Sequence, residues 1–534
     1  MAYYHLDLAR SAAQTELARS LAALREEFAL PAAFAPEVLA EAEQAAAAVV
    51  RSLPQSDRTD LPLVTIDPPG STDLDQALYI ERGAEGHPDG FTVHYAIADV
   101  PAFITPGGAL DEETLRRGQT IYLPDGRVPL HPEVISEDAA SLLPRVQRGA
   151  YLWTFALDAD GALVGTALER ATVRSREQLT YEQAQARIDA GPAPVHGDGP
   201  GASRSGDEVP AADRSAIAGS LALLKQVGLL RTGQEAARGG ASLRLPEQEI
   251  TVTDHGYEVL SAPPLDVEDW NAQVSLLTGM AAARIMLDGG VGILRTMPPA
   301  DGDSIDRFRA RTRALGHPWP REQSYGEYLR GLDIRDPQQL AIMHAATSLF
   351  RGAGYTAFDG DTPGLAVQSA IAAPYAHTTA PLRRLVDRFV LVTCLALLHG
   401  EQVPEGIRGI LPALPEAMRE SNVLASRTSN AALELVEAAS LHGLEGQEFT
   451  AVVVSAPGPE QEEKARAQGR LPWGEVQVEH PPVLARYEGF AEAGSRIRVV
   501  LVRADMATRT VLFRVAGQSP AGDRTRDGAP EPVD

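Results

Sequence analysis

Thr65-Ile66-Asp67-Pro68-Pro69-Gly70-Ser71-Thr72-Asp73-Leu74-Asp75 packs three carboxylates into one short loop. Val64-Thr65-Ile66 reads as the end of a β-branched strand, and Pro68-Pro69-Gly70 forces a turn directly after Asp67. From Leu74 the residues alternate again, which predicts a second strand with Asp73 and Asp75 on one face and Asp67 folded back toward them. Ionised carboxylates this close repel, and a cation is the usual remedy. Hard oxygen ligands select magnesium, manganese or calcium over zinc. An EF-hand is excluded, because counting from Asp67 the sixth residue is Thr72 instead of glycine and the twelfth is Leu78 instead of glutamate. On residue types and spacing alone, turn-capping aspartates on a solvated loop compete with the metal reading.

Outward from this loop, the chain of 534 residues has room for three or four domains, and 44% of it is hydrophobic. A net charge of -24 argues against a uniformly basic nucleic-acid coat, though not against a local basic channel. Arginines do gather: Arg170, Arg174 and Arg176; Arg383, Arg384 and Arg388; Arg496, Arg498 and Arg503. Cys394 is the only cysteine, so neither an internal disulfide nor a cysteine-rich zinc site can form. It sits in Phe389–Leu398, an apolar run too short to cross a bilayer, which reads as a buried helix. No basic segment followed by an apolar one opens the chain, so we read no secretion signal, no membrane association and a cytoplasmic location.

Four patterns follow one another. Residues 1–58 read as a helical, helix-turn-helix-like module, with Leu6, Leu8, Ala9, Leu17, Leu21 and Leu24 at helical spacing. Residues 59–445 form the main body, opening with strands such as Phe91–Ala98 and later dominated by helices. A Gly-, Pro- and Ser-rich stretch from Ala190 to Pro210 interrupts it as a loop. Residues 446–516 break into short β segments that suit a small barrel, and residues 517–534 read as a disordered tail.

Several of these stretches, taken in order, resemble the catalytic domain of the ribonuclease II family. They are Arg58-Thr59-Asp60-Leu61, Thr65–Asp75, His94-Tyr95-Ala96-Ile97-Ala98-Asp99-Val100, Thr120-Ile121-Tyr122-Leu123-Pro124, Pro129-Leu130-His131-Pro132 through Ser141-Leu142, and His377–Asp387. The resemblance implies an α+β multidomain protein: the helical N-terminal module, a mixed α/β catalytic domain and a C-terminal OB-fold barrel that binds RNA. It implies hydrolytic 3′→5′ degradation of single-stranded RNA to nucleoside 5′-monophosphates with Mg2+, for which Mn2+ can substitute. In that reading Asp67, Asp73 and Asp75 hold divalent ions and Asp75 is essential for cleavage. Arg383 forks onto the scissile phosphate, with Arg384 beside the substrate. Tyr122 stacks on the 3′-terminal base, and Tyr181 approaches the sugars. For both tyrosines a buried core position is the competing account.

The chain departs from the family in three places within this domain. Gln76 stands where a fourth aspartate is usual, as an uncharged candidate metal ligand; Leu243 replaces the aromatic partner of the stacking tyrosine. Acids expected near Ala272-Gln273 and Leu433-Glu434 are missing or displaced by one. These departures support an alternative, a non-catalytic RNA-binding protein on a degenerate nuclease domain. Helices in place of the family's cold-shock barrels further imply a more open channel mouth, able to meet structured RNA. In the barrel, Arg496, Arg498 and Arg503 with Tyr487 and Phe490 offer candidate backbone and base contacts, with barrel core as the other account of the aromatics.

Overall fold

A computed structural model of the chain describes residues 12–191, 209–241, 247–253, 256–262 and 264–519. Leu6, Leu8 and Ala9, most of the 190–210 loop, Leu243, and the tail beyond 519 lie outside the described residues. The β-branched and alternating stretches become β1 (Ser56–Asp57), β2 (Val64–Asp67), β3 (Gln76–Ala84) and β4 (His87–Ala98). A hairpin follows, β5 (Ile121–Leu123) and β6 (Gly126–Val128), then β7 (Gln147–Leu157), β8 (Leu163–Arg174) and β9 (Glu177–Thr180). All but the hairpin join one sheet in the order β1-β8-β7-β4-β3-β2-β9. Both edge pairings, β1 with β8 and β2 with β9, are parallel, and the central pairings are antiparallel.

Helices cover both faces of the sheet, so both faces are apolar. On one, Val64, Ile66, Leu78, Ile80, Val93, Tyr95 and Ile97 pack against helices Ala211–Arg238, Asp266–Gly289 and Leu385–Leu398. Cys394 is fully buried in the last of these, its thiol donating toward the Ala282 carbonyl. The opposite face is lined by small residues, including Ala77, Ala96, Ala98, Ala150 and Ala171. Against it lies helix Pro36–Arg51, through Val38, Ala42 and Ala46. Leu74 and Leu382 are buried in that same cluster, which fastens the acidic loop to the segment carrying Arg383.

The two N-terminal helices do not form the expected helix-turn-helix-like unit. Helix Ala12–Glu27 puts Leu17, Leu21 and Leu24 against hairpin β5–β6, helix Leu414–Leu441 and Met506 of the C-terminal barrel, a different core from that of Pro36–Arg51. The barrel itself is closed by strands Glu448–Ser455, Trp473–Val478, Leu484–Glu488, Thr510–Val515 and Arg496–Asp505, in that spatial order. Its interior holds Val453, Val476, Tyr487, Val499, Leu501 and Phe513. Among the described residues, no helix is long and apolar enough to cross a membrane.

Candidate active site

Asp67 is the last residue of β2 and pairs in register with Thr180 of β9, so Tyr181, opening the next helix, stands beside it. Gly70 takes the left-handed turn after the two prolines, at φ 79°. Residues 68–75 then run as a loop, and β3 begins only at Gln76, later than the alternation from Leu74 suggests. Tertiary contacts hold the loop instead. The Ser141 hydroxyl accepts from Leu74 N–H at 2.9 Å and donates to the Thr72 carbonyl at 2.7 Å. The Asp75 carbonyl accepts from Ala98 N–H at 3.0 Å.

Asp75 is 5% exposed. Its Oδ1 accepts the Leu382 backbone N–H at 2.8 Å, and its Oδ2 lies 3.7 Å from the Arg383 Nε. Burial pushes its carboxyl well above the usual range, against the opposing pull of Arg383 and the Leu382 N–H. Asp67 is also pushed up by burial, to about 7, with the Thr65 side chain and then Arg383 pulling down and Asp73 pushing up. The Asp67 Oδ2 is buried with no hydrogen-bond partner. Arg383, with a side chain 31% exposed, is positioned to reach both its acidic neighbours and an incoming anion.

Asp73 is differently committed. Its Oδ1 takes the Arg127 Nη1 at 2.7 Å and its Oδ2 the Tyr122 hydroxyl at 3.3 Å. Tyr122 and Arg127 face each other across the hairpin, so both side chains leave from one place. Gln76 has another use than the metal ligation expected of it. Its Nε2 donates to the Thr379 carbonyl at 2.7 Å, while its Oε1 accepts from the hydroxyls of Tyr95 and Ser275. An aspartate could not donate to that carbonyl. Arg384 is likewise turned inward: its guanidinium forks onto buried Asp387 at 2.6 and 2.7 Å, where the sequence reading had placed it beside substrate. The Tyr181 hydroxyl, its pKa raised by burial and then by Asp67, bonds Asn271.

Three contributors carried no role in the sequence reading. His131 is fully buried, its Nδ1 donating to the Leu382 carbonyl at 2.9 Å; burial lowers its pKa to about 3, so it braces the Arg383 segment as a neutral ring. His377 does similar work through the Tyr355 hydroxyl at 2.7 Å. Both lie in stretches that carried the resemblance, which was their only signal. Arg127 had none, being one arginine in a turn. The displaced acids do not arrive: Gln273 bonds Glu235 at 2.6 Å, and Glu434 acts on Arg509 and Glu437 next to the barrel.

The donor set can be tested against a hard divalent cation. Among the described residues, no three acidic, imidazole or thiol groups converge closely enough to cage an ion. The orphaned Asp67 Oδ2 and the Asp75 Oδ2 nevertheless offer two carboxylate oxygens, and magnesium commonly takes one or two, completing its shell with water and phosphate. The residues fit such an ion.

Residues 55–400 match the RNB domain family, and residues 447–516 the RNase II-type exonuclease C-terminal S1 domain. The chain belongs to the RNB family. Similar RNB proteins include ribonuclease R of Aquifex aeolicus, 24% identical over 438 residues covering 79% of this chain and 58% of that protein. Mouse exosome complex exonuclease RRP44 is 27% identical over 348 residues, covering 63% of this chain and 34% of that one. The chain thus spans from about a third to under two thirds of the length of these relatives. Its fold is shared with Mycoplasma genitalium RNase R in complex with ribose methylated single-stranded RNA, at TM-score 0.77 and 17% identity, covering 94% of this chain and 78% of that one. It is shared also with yeast Ssd1, a pseudonuclease, at TM-score 0.61 and 16% identity, covering 86% and 54%.

On the barrel, Tyr487 is core. Phe490 lies under the Arg466 guanidinium at 5.0 Å. Arg496, Arg498 and Arg503 are each ion-paired, to Glu479, Glu448 and Asp505. The exposed aromatic there is Trp473, 46% accessible, with Arg486 stacked over it at 4.2 Å.

Proposed function

We propose that this RNB-family chain is a divalent-metal-dependent, magnesium-using hydrolase that shortens single-stranded RNA from its 3′ end, releasing nucleoside 5′-monophosphates. One observation carries the reading: buried Asp75 holds the backbone just before Arg383 and lies against its guanidinium, whose charge acts on Asp67 as well. A decayed site has no reason to keep that geometry. The similarity to proteins named ribonuclease R and exosome exonuclease supports the same reading.

In the reaction, a water oxygen attacks the last phosphodiester phosphorus and the bond to the upstream O3′ breaks, that oxygen leaving with a proton. Arg383 would grip the non-bridging oxygens and offset the charge that grows on them. Leu382, Gln76, His131 and Asp387 fix the segment from which it reaches. Asp67 and Asp75 would hold the ion, which supplies an activated water and neutralises the leaving oxygen when bound. Tyr122, whose hydroxyl bonds Asp73, would stack on the terminal base.

The test uses a 5′-labelled oligoribonucleotide with magnesium, followed on a denaturing gel. Stepwise shortening by the wild-type protein, with intact but bound RNA for Asp75→Asn, is the expected result. RNA bound and unshortened by wild type in magnesium and manganese alike would favour a binding protein on a degenerate nuclease domain.

A further inference from the structure

Arg127 places a cation on the acidic loop. Its Nη1 is on Asp73 at 2.7 Å, and its Nη2 reaches both the Thr72 hydroxyl at 2.8 Å and Glu137. Thr72 in turn donates to Glu137 at 2.8 Å, closing a ring of contacts on the acidic loop itself. The Arg127 side chain is 22% exposed and the Asp73 side chain 6%. This is a fixed, partly buried ion-pair network. Removing its cation would leave two carboxylates facing each other in a poorly solvated place.

The other candidate ligands lead the same way. Gln76 adds no charge, and its oxygen is already taken by two hydroxyls. Asp73, the acid that acts on both Asp67 and Asp75, has one oxygen on Arg127 and the other on Tyr122.

We propose that Arg127 is a built-in cation standing in for a second metal ion, so that this centre works with a single divalent ion on Asp67 and Asp75. The inference rests on the nuclease reading above and narrows it. Arg127 acts through Asp73 as a positioning residue: it fixes that carboxylate, and with it the loop on which Asp75 lies, without touching the phosphate. Because Tyr122 shares its hairpin and its partner, the same contact also sets the stacking ring relative to the scissile bond. Lysine, a point charge without the fork, would hold Asp73 but not Thr72 and Glu137 together.

Titration of the full chain with Mn2+ alone, followed by electron paramagnetic resonance, counts the ions. Wild type is expected to bind one, with an uncoupled six-line spectrum. Arg127→Gln, which frees Asp73 and Glu137, is expected to bind two, the second within tenfold of the first in affinity and with exchange-broadened lines; Arg127→Lys should still bind one. Two coupled ions in wild type would overturn the proposal, and so would one ion in both wild type and Arg127→Gln when melting curves show that the variant is folded. If Arg127→Gln does not fold, the wild-type count decides alone. Wild type that takes up no Mn2+ and leaves RNA intact would instead defeat the nuclease reading itself, whereas two ions together with RNA shortening would defeat only the role given to Arg127.

Discussion

Asp67 shows how much a single buried carboxyl can cost. Raised to about 7 from 3.8 by burial, it is protonated in the folded chain over a range where the unfolded chain has it ionised. Folding therefore takes up a proton there. The stability tied to that proton is fully present below about pH 4 and is lost as pH rises through 7, to the extent of roughly 4 kcal/mol. Asp67→Asn removes this penalty, so without metal its Tm should exceed that of wild type at pH 8 and converge with it near pH 4. Magnesium should raise the wild-type Tm at pH 8 and leave the variant almost unmoved; thermal melts with EDTA or magnesium at both pH values check this. At this scale, legibility followed chemistry that a short motif can carry. Arg383 lies against Asp75 and acts on Asp67, contacts that residue type and local backbone in the short motifs are enough to set. Gln76 and Arg384 were read for other uses and Arg127 went unread, because partners decide what they do: a carbonyl 303 positions away, a buried aspartate and the acidic loop across a hairpin.

Elements were easier to foresee than their neighbours. Helical spacing of Leu17, Leu21 and Leu24 announces the first helix, but spacing along one element says nothing about the surface that will cover it. The structure buries that stripe against hairpin β5–β6 and helix Leu414–Leu441, making the N-terminal helix a brace behind Tyr122 and Arg127 instead of a free module. Leu21 is 0% exposed, so Leu21→Ala should cost about 2–5 kcal/mol in urea unfolding. If the helix braces the hairpin, the same variant should also raise the KM for RNA while changing kcat less. The strand at Leu74 was misplaced for a related reason: alternation of side chains persists through a loop held by Ser141 as readily as through a paired strand.

At the scale of the whole molecule, the proposed function asks a chain with net charge -24 to retain a polyanion. Clustered arginines suggested that the barrel does so by tracking phosphates, yet Arg496, Arg498 and Arg503 each face a carboxylate, which spends much of their field at home. What the barrel leaves open is the Trp473 ring with Arg486 over one face, on adjacent strands next to exposed Leu484. The second and third strands of an OB-fold are where oligonucleotides are commonly held, and base stacking on one ring contributes roughly 1–3 kcal/mol whatever the base. Trp473→Ala should therefore weaken single-stranded RNA binding about 5- to 150-fold by fluorescence anisotropy, with kcat at saturating RNA unchanged. Because no phosphate contact is lost with a neutral ring, the slope of log affinity against log salt should stay as in wild type. A slope that flattened by a full contact would mean that Trp473 serves chiefly to hold Arg486 against a phosphate, and that the barrel reads the backbone after all.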